Sequence, residues 1–282
     1  MRRAALVAVA GAVLATALVR WGPGLAQLLL EELGVVAPVA AEALFTLLVF
    51  GAMLLLACVG GRLSGVRALA PGLRPLRSLA FGCVVGCAGL GIAVGYAALA
   101  GNVTLAASTA RLMVLAAGCG TVALQVIAEE AYFRGWMQPV LARGWGAPAG
   151  VITSAAMFAG VHAVGGASGT VTLLNLFAGG MLFGVLAWRG GGIAAAVGAH
   201  LGWNVAEQLV LGLDPNPGLG SFGAVWNLEL GGAPLWGGSD QGLNASVAMS
   251  FALAALLAPL LLRGRLFADV APVAPAARAA VH

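Results

Sequence analysis

The chain has 282 residues, of which 61% are hydrophobic and only 9% are charged, and its mean hydropathy is +1.00. A soluble domain usually carries about 25% charged residues, so this composition excludes a water-facing globule and fits a protein that faces lipid. All 14 basic residues are arginine, and no arginine-rich block interleaves with aromatic residues. The formal charge of +4 therefore does not indicate nucleic-acid binding.

Apolar stretches of roughly 17–25 residues are long enough to cross the hydrocarbon core of a bilayer. The predicted spans are 4–19, 35–59, 79–100, 113–134, 147–165, 170–188, 191–212 and 243–262. We therefore predict an all-α fold, a polytopic transmembrane helical bundle of about eight spans. The basic start followed by an apolar run is also compatible with a cleaved signal peptide, which would leave seven spans.

The arginines predict the orientation of this bundle. With an even number of spans, most of them fall on one side: Arg2, Arg3, Arg62, Arg67, Arg74, Arg77, Arg134, Arg143, Arg189, Arg263 and Arg265. The opposite loops contain Arg20 and Arg111 together with the acids Glu31, Glu32, Asp214, Glu229 and Asp240. Because basic residues accumulate on the cytoplasmic side, we predict an integral protein of a bacterial plasma membrane with both termini in the cytoplasm.

Small residues four positions apart predict that helices pack closely within the bundle. The pairs are Gly82 and Gly86, Gly91 and Gly95, and Gly180 and Gly184. The four cysteines lie in apolar runs without metal-ligand spacing, and we interpret them as packing residues: Cys58, Cys83, Cys87 and Cys119. Segment 213–242, rich in Gly and Pro, is predicted to be a long irregular loop.

The strongest polar group inside a predicted span is Glu129-Glu130-Ala131-Tyr132-Phe133-Arg134, at the end of the fourth span. Ionisable residues within spans are costly, which makes them candidates for function. Arg134 lies one helical turn beyond Glu130, so the two can pair along the helix. Glu129 is rotated by about 100° and can face another helix. The alternative is a charge cluster that anchors the helix end at the membrane edge.

Two histidines, His162 and His200, also lie inside apolar spans. Phe158 precedes the first by four residues and Asn204 follows the second by four, so each pair shares a helix face. Two buried histidines in a chain with a buried carboxylate pair indicate a functional site. We interpret three further polar residues as structural or as part of an exposed tail: Glu42, Glu207 and His282.

These three pairs resemble the signature motifs of the CPBP intramembrane proteases: Glu129-Glu130-x-x-x-Arg134, Phe158-x-x-x-His162 and His200-x-x-x-Asn204. That family includes type II CAAX prenyl endopeptidases and bacterial proteins of bacteriocin processing or self-immunity. By this resemblance, 113–262 is a CPBP-like protease core, 1–112 contains three N-terminal transmembrane helices without a motif, and 263–282 is a disordered cytoplasmic tail.

The resemblance implies a membrane endopeptidase that activates water. Glu129 would be the general base, and His162 would help to hold and polarise the water. His200 and Asn204 would donate hydrogen bonds to the oxyanion. The supporting pair would be Glu130 and Arg134.

Several alternatives remain open at this stage. We favour a reaction without a cofactor, but Glu129, His162 and His200 would also suit zinc with an open fourth position. A non-catalytic immunity or assembly factor would keep the same fold, although the intact motifs argue against it. A proton-coupled transporter is disfavoured because the halves show no convincing repeat. The predicted partners are the lipid bilayer and a peptide or membrane-protein substrate; a prenylated protein and a leader peptide are both compatible.

Orientation and motifs together predict a polar cavity that is entered from the cytoplasmic side. Glu129 would lie in the inner half of the fourth span, and His200 about 14 Å from the cytoplasmic start of the seventh at 1.5 Å per residue. His162 would lie towards the outer side, so it could meet Glu129 only if the fifth span begins later or tilts.

Overall fold

The computed structural model describes residues 1–108, 110–213, 220–238 and 242–262. Its α-helices are α1 Arg2–Glu32, α2 Pro38–Ser64, α3 Pro75–Leu99, α4 Leu112–Glu130, α5 Gln138–Trp145, α6 Ala147–Val164, α7 Thr170–Gly190, α8 Ala194–Val205 and α9 Val247–Leu262. A π-helical segment, Ala131–Met137, joins α4 to α5, and a second one, Ala206–Leu211, extends α8. The predicted tail 263–282, with His282, lies outside the described residues.

The prediction of a helical membrane bundle is confirmed. In the described ranges, six helical segments are long and apolar enough to cross a membrane: Arg2–Glu32, Pro38–Ser64, Pro75–Leu99, Leu112–Trp145, Ala147–Val164 and Thr170–Gly190. The extended α8 and the shorter apolar α9 occupy the last two predicted positions. Large apolar side chains such as Leu6, Leu55 and Phe81 are more than half exposed, as expected of a surface that faces lipid.

Two predicted span boundaries are wrong. The first span was expected over 4–19, but α1 continues through Arg20 and Trp21 to Glu32 because another apolar run follows them. The fourth span was expected to end at Arg134, yet the helix continues as a π-helix and then as α5 to Trp145. Glu129 is therefore the eighteenth of the 34 residues from Leu112 to Trp145 and lies near the middle of this helix.

The predicted irregular loop 213–242 is partly ordered. Strand β1, Val103–Ala106, lies between α3 and α4 and pairs antiparallel with β2, Asn227–Leu230. Side chains add to this pairing: Asn102 donates to the carbonyl of Trp236, and Tyr96 donates to that of Leu235. These partners are more than 100 positions apart in sequence, so local turn residues could not reveal the ribbon. Asp214 and Asp240 lie outside the described residues.

The closest helix packing is between α3 and α8. A Cβ atom at Gly82 would collide with the carbonyl oxygen of Ala195, and one at Gly86 with that of Ala199. Gly180 packs on Ala155 of α6, so this predicted contact is also confirmed. The pair Gly91 and Gly95 has nothing within 4 Å of an added Cβ, and the prediction of a close contact there is wrong. Spacing alone does not distinguish glycines that face a helix from glycines that face outwards.

Aromatic packing fixes the π-helical segment after Glu130. Tyr132 and Trp136 are buried and meet edge to face with ring centroids 5.1 Å apart. The Tyr132 hydroxyl donates to the carbonyl of Gly11 at 2.7 Å, which ties this segment to α1. The Trp136 indole donates to the hydroxyl of Ser64 at the end of α2. The segment that carries Arg134 is therefore held by the first two helices.

Candidate active site

The predicted pairing of Glu130 and Arg134 along one helix is confirmed. Arg134 Nη1 donates to Glu130 Oε1 at 3.0 Å, and both side chains are fully buried. Arg134 Nη2 donates to the carbonyl of Gly180 on α7 at 3.2 Å. The guanidinium also lies over the ring of Phe158, 4.5 Å from its centroid, within the range of a cation–π contact. This charge is therefore compensated inside the bundle by Glu130, the Gly180 carbonyl and the Phe158 ring.

His200 on α8 lies between the two carboxylates of α4. Its Nδ1 is 2.9 Å from Glu130 Oε1, and its Nε2 is 3.8 Å from Glu129 Oε2. Since the Glu130 oxygen already accepts from Arg134, it is a carboxylate acceptor, and Nδ1 of the imidazole carries the proton. The ring of Phe183 stacks on the imidazole with centroids 4.7 Å apart and planes at 15°. Nε2 is therefore the nitrogen of His200 that could bind water or a substrate atom.

One carboxylate oxygen of Glu129 accepts a hydrogen bond, whereas the other has no partner among the described residues. Gln125, one turn earlier on α4, donates to Glu129 Oε1 at 3.3 Å. Glu129 Oε2 is buried and has no hydrogen-bond partner in the part of the chain that the structure describes. A buried polar atom without a partner is costly, and this atom belongs to a residue that lines a cavity. Water or a substrate group is the natural partner for it.

His162 lies near the end of α6 and is half-buried. Its Nδ1 is 2.9 Å from the carbonyl oxygen of Phe158. A carbonyl only accepts, so Nδ1 donates, and Nε2 of the neutral ring is left as an acceptor. The ring of Phe158 lies 4.4 Å from the His162 ring and 6.3 Å from the His200 ring between centroids. The Phe158 ring thus lies near both imidazoles, and all three side chains line one cavity.

One cavity of about 730 Å³ is lined by all of the predicted catalytic residues, namely Glu129, His162, His200 and Asn204. Glu207 and Gln208, in the π-helical extension of α8, line the same space. Glu130 and Arg134 lie behind it. The structure therefore gathers side chains from α4, α6 and α8 around one volume large enough for a peptide segment.

The prediction that this cavity is entered from the side of the arginine-rich loops is wrong. Its lining includes Gly165, Gly166 and Ser168, which are exposed in the loop between α6 and α7. No residue of the arginine-bearing segments 62–77, 143–146 or 189–193, all of which are described, lines it. The opening is therefore at the opposite end of the bundle, where α6 and the extended α8 end.

This position also corrects the expectation for His162. Helix α6 spans Ala147–Val164, almost as predicted, so the fifth span does not begin later. The wrong boundary is that of the fourth span, whose continuation to Trp145 places Glu129 near the middle of its helix. The cavity extends from Glu129 towards the end of α6. Both residues line the cavity although they lie at different levels along the bundle, because the cavity extends over both levels.

The alternative zinc set was tested against the geometry. Within the described ranges, no group of three or more His, Cys, Asp and Glu residues is arranged to hold a metal ion. Glu129 and His200 approach each other only at 3.8 Å between Oε2 and Nε2, and His162 enters no such cluster. The residues that would form the zinc site are not brought together as metal ligands, and we derive no step through a metal.

Three contacts of the site were not predicted from the sequence: those made by Gln125, Phe183 and the carbonyl of Gly180. Gln125 lies one helical turn before Glu129, so i,i+4 spacing could have indicated it. Phe183 on α7 stacks on His200, but no local pattern marks it, since α7 carries no motif. The backbone carbonyl of Gly180, which accepts from Arg134, has no sequence signal beyond the small-residue pair.

The two carboxylates interpreted as structural differ in their surroundings. Glu42 on α2 accepts a hydrogen bond from the backbone amide of Ser221, so it fastens the loop at the open end of the bundle. Glu207 is buried at 5% exposure, accepts from the side chain of Trp203, and lines the cavity. Glu42 is therefore explained by a structural contact, whereas Glu207 has a structural contact and also lines the cavity.

Comparison with known families supports the resemblance of the motifs. Residues 111–206 match the family described as type II CAAX prenyl endopeptidase Rce1-like. The match includes all three motifs, and it supports a CAAX-type membrane protease. A search of curated proteins and a search of solved structures returned no significant match.

Proposed function

We propose that this protein is an intramembrane endopeptidase that hydrolyses a peptide bond with water activated by Glu129 and His162. The observation that carries the proposal is the buried, unpartnered Oε2 of Glu129 in a cavity shared with two histidines. An acceptor of this kind, in one cavity with a second acceptor, Nε2 of His162, suits a water molecule that must lose a proton.

The reaction would begin when Glu129 takes a proton from the water and the hydroxyl adds to the scissile carbonyl carbon. His162 Nε2 would accept the second hydrogen bond of the water and orient it. The carbonyl oxygen becomes an oxyanion, which the amide of Asn204 and Nε2–H of His200 would stabilise. Because Nδ1 of His200 is already held by Glu130, this role requires a ring that carries a proton on both nitrogens throughout the reaction; it would donate a hydrogen bond to the oxyanion without transferring its proton. Glu129 would then give its proton to the amine nitrogen as the carbon–nitrogen bond breaks.

Glu130 and Arg134 are positioning residues in this mechanism. Glu130 fixes the orientation of the His200 ring, and Arg134 compensates the charge of Glu130. Neither side chain lines the cavity. Because Glu130 is paired with Arg134, Glu129 is the carboxylate of this motif that would act on water.

The mechanism proposed here needs no cofactor. Zinc held by Glu129, His162 and His200 is the alternative, and metal analysis distinguishes the two. The substrate would be a peptide or a membrane protein that reaches the cavity within the bilayer. The orientation with both termini in the cytoplasm stays a prediction.

The test is cleavage by the reconstituted protein. Membranes with the wild type, with Glu129→Gln and with Glu229→Gln are incubated with a membrane proteome, and new peptide ends are identified by mass spectrometry. Glu229 is exposed on β2 outside the cavity, so it controls for loss of one carboxylate. We expect cleavage by the wild type and by Glu229→Gln but not by Glu129→Gln. Cleavage by none of them would favour the non-catalytic membrane factor.

A further inference from the structure

A peptide that enters the cavity loses its contact with water, so its backbone groups need new hydrogen-bond partners. Within a bilayer, an N–H or C=O group without a partner is costly. The proposed mechanism provides donors for the scissile carbonyl, namely His200 and Asn204, and for no other group of the substrate. A backbone residue is neutral and has one donor and one acceptor. A carboxamide side chain also has both, and it is therefore the side chain to look for in the cavity wall.

Four carboxamides on α4, α7 and the extended α8 line the cavity: Gln125, Asn175, Asn204 and Gln208. Two of them already have partners in the protein. Gln125 donates to Glu129. Asn175 donates to the carbonyls of Asn244 and Ser246 and accepts from Ser250, so it fastens the start of α9 to α7. These contacts explain Gln125 and Asn175 without a ligand.

Gln208 has no such explanation. It is 9% exposed and lines the cavity, and its side chain makes no hydrogen bond in the part of the chain that the structure describes. A largely buried amide without a partner is costly, and methionine, which adapts to irregular spaces, would fill the position without that cost. A polar group that enters the cavity is the natural partner for Gln208.

The spacing between Gln208 and the oxyanion site fits a peptide chain. Gln208 follows Asn204 by four residues, as Asn204 follows His200, so the three share one side of the extended α8. Gln208 lies about 6 Å nearer the open end than Asn204, at roughly 1.5 Å per residue. Two residues of an extended peptide span about 6.6 Å, at roughly 3.3 Å per residue. Residues two apart also present their backbone groups to the same side.

We infer that Gln208 is a substrate-binding residue, whose carboxamide pairs with the peptide backbone two residues from the scissile carbonyl, on the side that leads to the opening. This inference rests on the proposed function, since it names a substrate contact of the same site. The N–H and C=O of one extended residue point to the same side. The Gln208 oxygen would accept from that N–H, and its amide group would donate to that C=O. The contact involves no substrate side chain, so it suits a CAAX-type peptide as well as other sequences.

The test measures binding separately from cleavage. The probes are an S-farnesyl peptide that ends in a CaaX box and the same peptide without the farnesyl group. In each, one residue at a time is replaced by its α-hydroxy acid, which removes a single backbone N–H and keeps the side chain. Kd values are measured in Glu129→Gln, which is inactive in the proposed mechanism, and after Gln208→Met or Gln27→Met is added. Gln27 is exposed on α1 and does not line the cavity, so it is the matched control.

We expect Gln208→Met to weaken binding of the unmodified peptide about threefold to tenfold, the worth of one hydrogen bond, and Gln27→Met to leave it unchanged. Loss of the N–H at one residue should weaken binding by a similar factor with Gln208 present and have no effect in Gln208→Met. That residue should lie two positions from the carbonyl that the active protein cleaves, as located by mass spectrometry.

Three results would overturn the inference: neither peptide binds, no N–H has an effect that depends on Gln208, or the sensitive N–H lies elsewhere. If Gln208→Met does not fold, Gln208→Leu takes its place. If neither variant folds, the scan with Gln208 present decides, since a peptide without a sensitive N–H at the expected residue contradicts the contact.

Cleavage of the unmodified peptides by the protein with Glu129 intact is scored in parallel. A backbone contact that depends on Gln208, without any cleavage, would refute the protease and retain Gln208 as a peptide-binding residue. Cleavage with binding that does not depend on Gln208 would support the protease and refute the contact.

Discussion

His200 and Glu130 are joined by a 2.9 Å contact between Nδ1 and Oε1 that links two motifs 70 residues apart. The same Glu130 oxygen accepts from Arg134 at 3.0 Å. One buried oxygen thus connects helix α8 to α4 and its π-helical extension. The orientation of the His200 ring therefore depends on Glu130, a carboxylate that does not line the cavity.

Loss of Arg134 should therefore be more damaging than loss of the whole pair. Arg134→Met leaves Glu130 as a buried charge without its cation, and removal of one partner of a buried pair costs about 3–5 kcal/mol. The double variant Glu130→Gln with Arg134→Met should recover part of this stability, because no uncompensated charge remains. Thermal unfolding in detergent measures both. An Arg134→Met protein as stable as the wild type would show that the pair contributes nothing.

The proposed catalytic residues should differ in the severity of their loss. His162→Ala should abolish proteolysis because it removes the group that would hold the water. His200→Ala should abolish it because it removes a proposed oxyanion donor and also takes from Glu130 one of its two buried partners. Asn204→Ala should retain some activity, because one oxyanion donor is worth about 10²–10³ in rate. Initial rates of cleavage of an identified substrate measure the difference. Asn204→Ala at the wild-type rate would remove that residue from the oxyanion site.

The proposed mechanism predicts insensitivity to metal removal. Exhaustive chelation should leave activity intact, and elemental analysis should find well under one zinc per chain. Both measurements are made on the same purified sample, with a known zinc protease as the control for chelation. Activity that is lost with the chelator and returns with zinc would support the alternative set of two histidines and one carboxylate.

The helix contacts predict a difference between two glycines of α3. Gly86→Ala places a methyl group against the carbonyl of Ala199 and should destabilise the protein by about 1–3 kcal/mol, the usual cost of overpacking. Gly91→Ala is the matched control, since nothing lies within 4 Å of its Cβ, and it should be neutral or slightly stabilising because alanine favours the helix. Unfolding midpoints in one detergent compare them. Equal destabilisation by both would mean that α3 does not pack on α8 through Gly86.

The position of the opening predicts which face a water-soluble thiol reagent must approach. In a background without the four native cysteines, Thr172→Cys should be labelled from the same face as Val225→Cys. It should not be labelled from the face of Leu73→Cys, which marks the arginine-rich end. Sealed vesicles with reagent outside or inside separate the two faces. Labelling of Thr172→Cys only from the Leu73 side would restore the originally predicted route.

Much of the candidate site could be predicted from the sequence, because several of its contacts join residues one helical turn apart and because histidine is rare in this chain. Glu130 and Arg134 pair at i,i+4, as do Phe158 and His162, so helical periodicity brings each pair to one face. The chain has only three histidines, which made the two inside spans conspicuous. The roles of the individual residues remain predictions.

The features that the sequence did not reveal depend on tertiary contacts. The ribbon of β1 and β2 joins segments separated by more than a hundred residues, and neither strand has a local partner. The continuation of α4 through a π-helix cannot be inferred from hydropathy, which falls at Glu129 although the helix does not end there. The predicted entrance of the cavity was wrong because the distribution of arginines predicts the orientation of the helices. It carries no information about the end of the bundle at which a cavity opens.

The backbone contact between α3 and α8 also bears on how the oxyanion site is prepared. Glycines at 82 and 86 receive the carbonyls of Ala195 and Ala199, and these same turns of α8 carry His200 and Asn204. A contact made of main chain has no rotamers to change, so α8 cannot slide along α3 without a clash. The backbone positions of His200 and Asn204, the two proposed donors, are therefore set during folding. In the proposed mechanism, the main chain of α8 needs no reorganisation when a substrate arrives.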